Sequence, residues 1–526
     1  MMSNASTYKD LPASQVTILL VSILLVALCG IVYELIIGTV SSYLLGNSVY
    51  QFSITIGFFM CAMGVGSWVS RYIGKDLIQS FVYIELILAI VGGLCSISLF
   101  MTFPFAPWMY TLVMFSFIFA IGLLVGLEIP LLTRVLAERT DTRNSIADVL
   151  SLDYLGALIG SVAFPLFLLP SLGLISSSFA IGLINISVAI VNVIWLREHL
   201  RHPRAVLYVA IGVLVALVAL TVSATRITAF AQQHLYFDQI VWQKQTQYQS
   251  LVVTNYWQRP DLRLFIDGHL QFSEMDEHRY HESLVHPVMS WSGKRENVLI
   301  LGGGDGLAAR EVLKYPDVKR IDLVDLDPEM TKLGQTFAPL VALNKNSMHS
   351  PIMHVTNEDA FVFIRKTKRL YDRIIIDFPD PHNEAISKLY SIEFYQMLSQ
   401  KMRPDAIMVS QSSSPFFARD TYWSIAQTMR RIFPVITSYH TTIPAFGVWG
   451  FHLARKSPVG QLGQFPEGLA FMSKRVFDAA QVFASDISAR ENLKENSIFE
   501  PGLYATYLKD MKYGPLTKKD RRLGIN

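Results

Sequence analysis

Two acids three residues apart, Asp377 and Asp380, flank the rigid step Phe378-Pro379 and precede Pro381, so one loop carries both. Asp305 sits in the glycine-rich turn Gly302-Gly303-Gly304-Asp305-Gly306. If the three acids share a pocket, the chemistry they suit is that of an amine. An aliphatic ammonium has a pKa near ~10, by analogy with lysine, and cannot attack until it loses a proton. One acid would take that proton while the others hold positive charge, and close like charges raise the pKa of one carboxyl toward that of a usable base. The turn itself is not built for phosphate. It contains no Lys or Arg, Leu307 stands where a dinucleotide fingerprint wants its third glycine, and the Gly-Lys-Ser/Thr of a phosphate loop is absent. Asp325 follows Gly302 by 23 residues, near the ~20 expected of an acid that holds ribose hydroxyls. The expected ligand is a nucleoside without phosphates, carrying a positive group near Asp305.

These residues need elements to position them. Short apolar strands are expected at Asn297–Leu301, Arg320–Val324, Ile352–Val355, Arg373–Ile376 and Ala406–Ser410, with Leu307–Lys314 as a helix. Strands alternating with helices imply a parallel, doubly wound, Rossmann-like sheet of the class I methyltransferase kind, whose ligands bind beyond the carboxyl ends of the strands. Asp305, Asp325, the pair Glu358-Asp359, Asp377 and Gln411 all follow strands, so they converge there. Ahead of this sheet, Val252–Thr254, Leu262–Ile266 and Leu270–Phe272 read as strands, with Asp267-Gly268 as a hairpin turn. A helix over Asp276–Met289 follows. The expected boundaries are a small β-module at 225–292 and the Rossmann-like domain at 293–526.

Residues 1–224 are different. They hold only 9 of the 45 Lys+Arg and 10 of the 42 Asp+Glu. Seven apolar runs, about 16–37, 49–70, 79–102, 108–132, 149–169, 172–196 and 205–224, approach or exceed the roughly 20 residues that cross a bilayer. The first is too long, and followed by too many others, for a cleaved signal. The expectation is a multi-pass helical domain in the cell (inner) membrane. Arg71 and Lys75, then Arg134, Arg139 and Arg143, then Arg197, Arg201 and Arg204 fill alternate connections, which the positive-inside rule assigns to the cytoplasm. A cytoplasmic position for the polar half is also expected, because a nucleoside ligand of the kind inferred above is cytosolic, yet an odd number of crossings argues against it. The run holding Asp148 and Asp153 is the weakest of the seven. Glu34, Glu85, Glu128 and Asp153 lie in or beside the runs. Acids in hydrocarbon are expected to face a bundle interior, where they either serve a transport role or merely tie helices together. Gly64, Gly66, Gly156 and Gly160 suit close helix packing. The net charge of +3 does not suggest nucleic acid. Cys29, Cys61 and Cys95 read as core residues, and no zinc spacing exists.

Across residues 236–455 the chain resembles the spermidine synthase (polyamine aminopropyltransferase) family, in its membrane-embedded bacterial form. The matching stretches are Tyr248-Gln249, Leu264–Phe272, Asp276–Glu282, Val298–Gly306, Arg310–Val312, Asp325–Asp327, Asp359-Ala360, Tyr371–Pro381, Leu389-Tyr390 and Gln411. The resemblance implies transfer of an aminopropyl group from decarboxylated S-adenosylmethionine to putrescine or a related amine. The products would be spermidine and methylthioadenosine, and no permanently bound cofactor or metal would be needed. It implies that Asp377 is the proton acceptor and that Asp380 holds the polyamine. Asp305, His281 and Tyr280 would line the aminopropyl or amine channel, Gln249 and Asp325 would bind the nucleoside, and Glu358 and Asp359 would meet its adenine. Five positions depart from the family: Asp325 for a glutamate, Phe378-Pro379 for small residues, Glu384 for a proline, and Phe446 for a tyrosine near the amine. The tail from Lys456 is loosely matched, and its basic run Lys518–Arg522 reads as a solvated end.

Two rivals share these features. A methyltransferase using ordinary S-adenosylmethionine would want an acid near position 300, which is Ile300, and its donor's carboxylate would meet Asp305. A polyamine sensor or transporter without turnover would suit the acids in the apolar runs. A homo-oligomer is left open.

Overall fold

The computed structural model describes residues 8, 11–45, 48–138, 141–458 and 460–513. Arg139 and Lys518–Arg522 lie outside the described residues. The chain divides into two compact units, Met1–Gln239 and Ile240–Asn526.

Among the described residues, the first unit is built from seven long helices: α1 (Ala13–Leu45), α2 (Ser48–Val69), α3 (Leu77–Phe105), α4 (Tyr110–Ala137), α5 (Thr142–Ala163), α6 (Leu169–Trp195) and α7 (Pro203–Gln233). α7 runs well past residue 224. Thr142–Trp195 is one apolar stretch of 54 residues, but it is not one rod. Gly173, at φ 72°, breaks it, as a residue without Cβ can do at little cost. Contacts with α1 show the reversal. Gly156 and Gly160 of α5 approach Leu24 and Leu28, so α5 runs parallel to α1. On α6, Ile181 carbonyl faces Cys29 and Asn192 donates to Ser22 at 2.8 Å, so α6 runs antiparallel to it. α5, with Asp148 and Asp153, is a full 22-residue helix, about 33 Å long. Small residues carry the closest approaches. A Cβ on Gly66 or Gly156 would stand 2.2 Å from a carbonyl of the neighbouring helix, and one on Gly160 would be 2.5 Å from Ile31. Gly64 is the exception, because nothing lies within 4 Å of its missing Cβ. Glu34, Glu85 and Glu128 are buried inside this unit. Asp153 is half-buried and shares a small cavity with Glu128.

The second unit opens with a four-stranded sheet in the order β1 (Gln239–Gln245), β2 (Ser250–Asn255), β3 (Leu262–Ile266), β4 (His269–Ser273). The β3–β4 turn uses Asp267 and Gly268, both at positive φ (49° and 80°), the backbone of a type I′ hairpin. Helix α8 (Glu277–Met289) leads into the main sheet. Its parallel strands are β5 (Asn297–Gly302), β6 (Arg320–Asp325), β7 (Met353–Asn357), β8 (Tyr371–Asp377) and β9 (Met402–Gln411). Between them lie α9 (Leu307–Val312), α10 (Pro328–Thr336), α11 (Ala338–Leu343), α12 (Ala360–Lys366), α13 (Glu384–Ser387) and α14 (Ile392–Lys401). After β9 come α15 (Arg419–Arg430), the hairpin β10 (Val435–Ile443) and β11 (Gly447–Arg455), α16 (Lys474–Ala480) and α17 (Leu503–Tyr513). The spatial order is β10-β11-β9-β8-β5-β6-β7; β11 runs antiparallel to both of its neighbours, so β10 points the same way as β5 to β9. The expected strands are all present. The β10–β11 hairpin was not among them.

Strand order reverses between β5 and β8, where Gly302 pairs with Asp377. That switch point is where ligands of doubly wound sheets bind. The two chains approach so closely there that a Cβ on Gly302 (φ 84°) would stand 2.2 Å from the Asp377 carbonyl oxygen. Nothing lies within 4 Å of a Cβ at Gly268. Gly302→Ala is therefore expected to lower stability by well over the ~1 kcal/mol that a left-handed residue alone costs. Gly268→Ala should cost only about that amount. Thermal unfolding of the two variants beside the wild type checks the difference, and equal losses would contradict the clash.

Candidate functional site

Beyond the carboxyl ends of β5, β6 and β8 lies a cleft of about 410 Å³. It is lined by Gln249, Tyr280, His281, Asp305, Asp325, Asp359, Asp377 and Asp380, so eight of the nine expected site residues share it. Glu358 does not line it. Its side chain turns instead to Lys366 at the end of α12, which pairs its charge.

Asp377 ends β8 and accepts a 2.5 Å hydrogen bond from the Tyr280 hydroxyl. Burial pushes its carboxyl up to about 6; His281 and the Tyr280 bond oppose the rise and the charge on Asp305 adds to it. Asp305 is buried, and its Oδ1 accepts from Leu307 N–H at 2.8 Å. Burial raises this carboxyl too, against the pull of His281. His281 stands among these acids. Burial works to lower its pKa, but Glu277, Asp305 and Asp377 together leave it raised. The Nδ1 of His281 meets Glu277 Oε2 at 2.8 Å. Glu277 in turn receives both Arg310 guanidinium nitrogens, at 2.8 and 2.9 Å. Arg310 also pairs with Glu311 at 2.8 Å, and Glu311 with His286 at 2.8 Å. Burial works against the Glu277 charge, yet His281 and Arg310 hold that carboxyl down at about 2. A buried network of this kind costs free energy to assemble but leaves its members one geometry. Here it sets the position of the His281 ring.

On the nucleoside side, Asp325 ends β6. Its two oxygens accept from Gly304 N–H (3.1 Å) and Asp327 N–H (3.0 Å), while burial pushes it up to about 6. The short arm of an aspartate therefore lies against the glycine turn, where a Cβ on Gly304 would meet it at 2.7 Å. Asp359 caps α12 through Phe361 N–H and pairs with Lys388 at 2.7 Å. Gln249 is half-buried at the edge of β2. Gln411 lines the cleft but works inward: its amide oxygen accepts from Ser413 N–H, and its nitrogen donates to the Phe378 carbonyl at 2.5 Å and to the Tyr390 hydroxyl at 3.0 Å. It braces the loop that carries both acids.

On the far side, Asp380 Oδ2 accepts from Ser413 and Tyr507 hydroxyls, each at 3.2 Å, and burial again pushes the carboxyl to about 6. Phe446 and Trp449 form an aromatic wall with Tyr280. Phe378 and Pro379 also line the cleft, whereas Glu384 does not. Lys388, Trp449, Tyr507 and Met511 are cleft residues that motif reading missed. Lys388 adjoins the matching Leu389-Tyr390 stretch, which could have pointed to it; Trp449, Tyr507 and Met511 lie outside the matching stretches.

A glycine turn at the switch point, an acid at ribose spacing and a buried acidic centre beyond them define a doubly wound enzyme for a nucleoside joined to a cation. The spermine/spermidine synthase domain matches residues 277–462. The polyamine aminopropyltransferase of Leptospira interrogans is 41% identical over 474 residues, 90% of this chain and 94% of that one. Polyamine aminopropyltransferase 1 of Streptomyces coelicolor is 41% identical, over 92% and 93% of the two chains. The enzyme of that name from Oceanobacillus iheyensis is 39% identical, over 92% and 96%. This chain belongs to the polyamine aminopropyltransferase family, and the similarity extends into its helical unit.

Three carboxyls raised to about 6, Asp325, Asp377 and Asp380, make a signed prediction. A carboxyl whose folded pKa exceeds its unfolded value near ~3.9 stabilises the fold in its protonated form, and that contribution is lost as pH rises through the folded pKa. The ligand-free protein is expected to lose stability between about pH 4 and 7. Asp377→Asn should raise the unfolding temperature at pH 7.5 and change it little at pH 4. A drop at pH 7.5 would contradict the reading.

Proposed function

We propose that the chain transfers an aminopropyl group from decarboxylated S-adenosylmethionine to putrescine or a similar short diamine, releasing spermidine and methylthioadenosine. The observation that carries this reading is Asp377, with its pKa raised to about 6 by burial, standing beside Asp305 at the switch point. In this reading Asp325 and Gln249 hold the ribose end of the donor and Asp359 lies toward its base. Asp305 and the aromatic face of Tyr280, Phe446 and Trp449 meet the cationic aminopropyl arm and sulfonium. Asp380 holds the distal ammonium of the acceptor. The near ammonium gives its proton to Asp377. The freed lone pair attacks the carbon bonded to sulfur, a C–N bond forms, and the C–S bond breaks with its electron pair returning to sulfur. The leaving group is then a neutral thioether. The enzyme's part is alignment, water exclusion and proton acceptance. A methyl donor with an intact carboxylate is disfavoured, because Asp305 would repel it. A binder without turnover has no use for a base tuned close to neutrality.

Release of methylthioadenosine from decarboxylated donor and putrescine is the direct test. Asp377→Asn is expected to cut kcat by about 10²–10⁴-fold while methylthioadenosine still binds, and wild-type kcat/KM should fall below about pH 6. Methyl transfer from ordinary S-adenosylmethionine would favour the rival enzyme, and amine binding with no turnover would favour a sensor.

We also propose that the helical unit resides in a membrane, supported by helices long and apolar enough to cross one. The enzyme unit is placed on the cytoplasmic side with its donor. With seven alternating helices, this reading needs the basic connections on the outer face, against the usual charge rule. A C-terminal fluorescent protein fusion is expected to fluoresce in the cytoplasm. Activity of an alkaline phosphatase fused at the same point would reverse the assignment.

A further inference from the structure

Motif reading stopped at the tail, yet its last described helix returns to the cleft. α17 is anchored by its own chemistry. Asn496 Oδ1 accepts from Gly502 and Leu503 N–H at the start of the helix, and Leu503 is buried in the core beneath β8 and β9. Near the other end, Asp510 Oδ2 accepts from both Thr421 N–H and Thr421 hydroxyl at 2.8 Å, tying α17 to α15. Between these anchors Tyr507 is 6% exposed and its hydroxyl donates to Asp380 Oδ2 at 3.2 Å. Met511, one turn on, lines the same cleft.

The position along the sheet gives the contact its meaning. The ribose-spaced acid ends β6, the reacting centre lies over β5 and β8, and Asp380 with Ser413 lies over β8 and β9. α17 therefore lines the end of the cleft farthest from Asp325, with Tyr507 buried there and Met511 54% exposed at its edge. Two hydroxyls occupy one oxygen of Asp380, and the other, Oδ1, is buried and takes no hydrogen bond among the described residues. Asp380 lines the cleft and keeps this buried oxygen unpartnered, a demand that a cation seated against the carboxylate can meet.

We propose that α17 is the end-wall of the amine site: Tyr507 is a positioning residue that aims Asp380 Oδ1 at the distal ammonium of the acceptor, and Met511 sets the greatest length of amine accepted. This rests on the aminopropyl-transfer reading above. Tyr507 touches no reacting atom, so its loss acts on acceptor binding rather than on proton transfer. Met511 is a flexible apolar stop against which the last methylenes of a diamine end.

The experiment uses the full chain in detergent, with decarboxylated donor and a series of diamines of three to six carbons together with spermidine. Tyr507→Phe keeps the ring and removes one hydrogen bond to a charged group. It is expected to raise KM for the preferred diamine about tenfold, leaving donor KM and kcat within about twofold. Met511→Ala is expected to raise kcat/KM for the longest amines about tenfold relative to the shortest. Equal shifts in donor and amine KM, or no change in the amine KM of Tyr507→Phe, would overturn the positioning role. An unchanged length profile in Met511→Ala would overturn the end-wall. If the wild type releases no methylthioadenosine with any amine, the underlying transfer reading fails, and this inference falls with it. Matching unfolding temperatures for Tyr507→Phe and wild type show that the KM readout reports the site and not the fold.

Discussion

Several carboxyl groups buried in one cleft, with His281 among them, are the constraint around which the enzyme unit is organised. Each of Asp305, Asp325, Asp377 and Asp380 is raised by burial. A charged carboxylate deprived of water costs several kcal/mol unless something replaces the water. The fold replaces it only in part, with the Leu307, Gly304 and Asp327 N–H groups and the Tyr280, Ser413 and Tyr507 hydroxyls. What is left over is a standing demand for positive charge. A substrate pair that brings a sulfonium and three ammonium groups fits that demand, and an anionic ligand does not.

The backbone makes the crowding achievable. Asp305 and Asp377 meet because β5 and β8 are neighbours at the point where strand order reverses. Glycine at 302 lets the turn rise against the Asp377 carbonyl without a side chain in the way. Behind this surface, the chain Glu277–Arg310–Glu311–His286 fixes α8 against α9 and holds the His281 ring toward the acids. The charges of this hidden layer are paired among themselves, so the cleft acids keep their demand for positive charge.

The two units solve opposite solvation problems. In the first, backbone groups satisfy one another within long helices, and small residues bring those helices into contact where a Cβ would collide. Glu85 and Glu128 are buried there with no basic partner in the same helices, apart from Arg134 in the last turn of α4, which is engaged with the carbonyls of Ser70 and Ile73. In the second unit, polar groups are concentrated at one rim of a sheet whose interior is apolar.

Local pattern alone determined much of this. Apolar runs of five or six residues bounded by turns mark β5, β6 and β8. A pair Asp267-Gly268 can close a hairpin whatever surrounds it, and the order of acids after strands places them at one rim once the sheet is parallel. The length and composition of residues 1–224 marked helices for the same reason: they reflect the solvent each residue prefers, which is a property of the chain itself. Tertiary structure alone decided the rest. It paired Lys388 with Asp359, turned Glu358 outward, left Gly64 without a neighbour, folded β10 and β11 back along β9, and returned Tyr507 to Asp380 across 127 positions. Such contacts follow from which surfaces remain to be covered after the sheet has formed. That remainder depends on every element at once, so no window of sequence contains it.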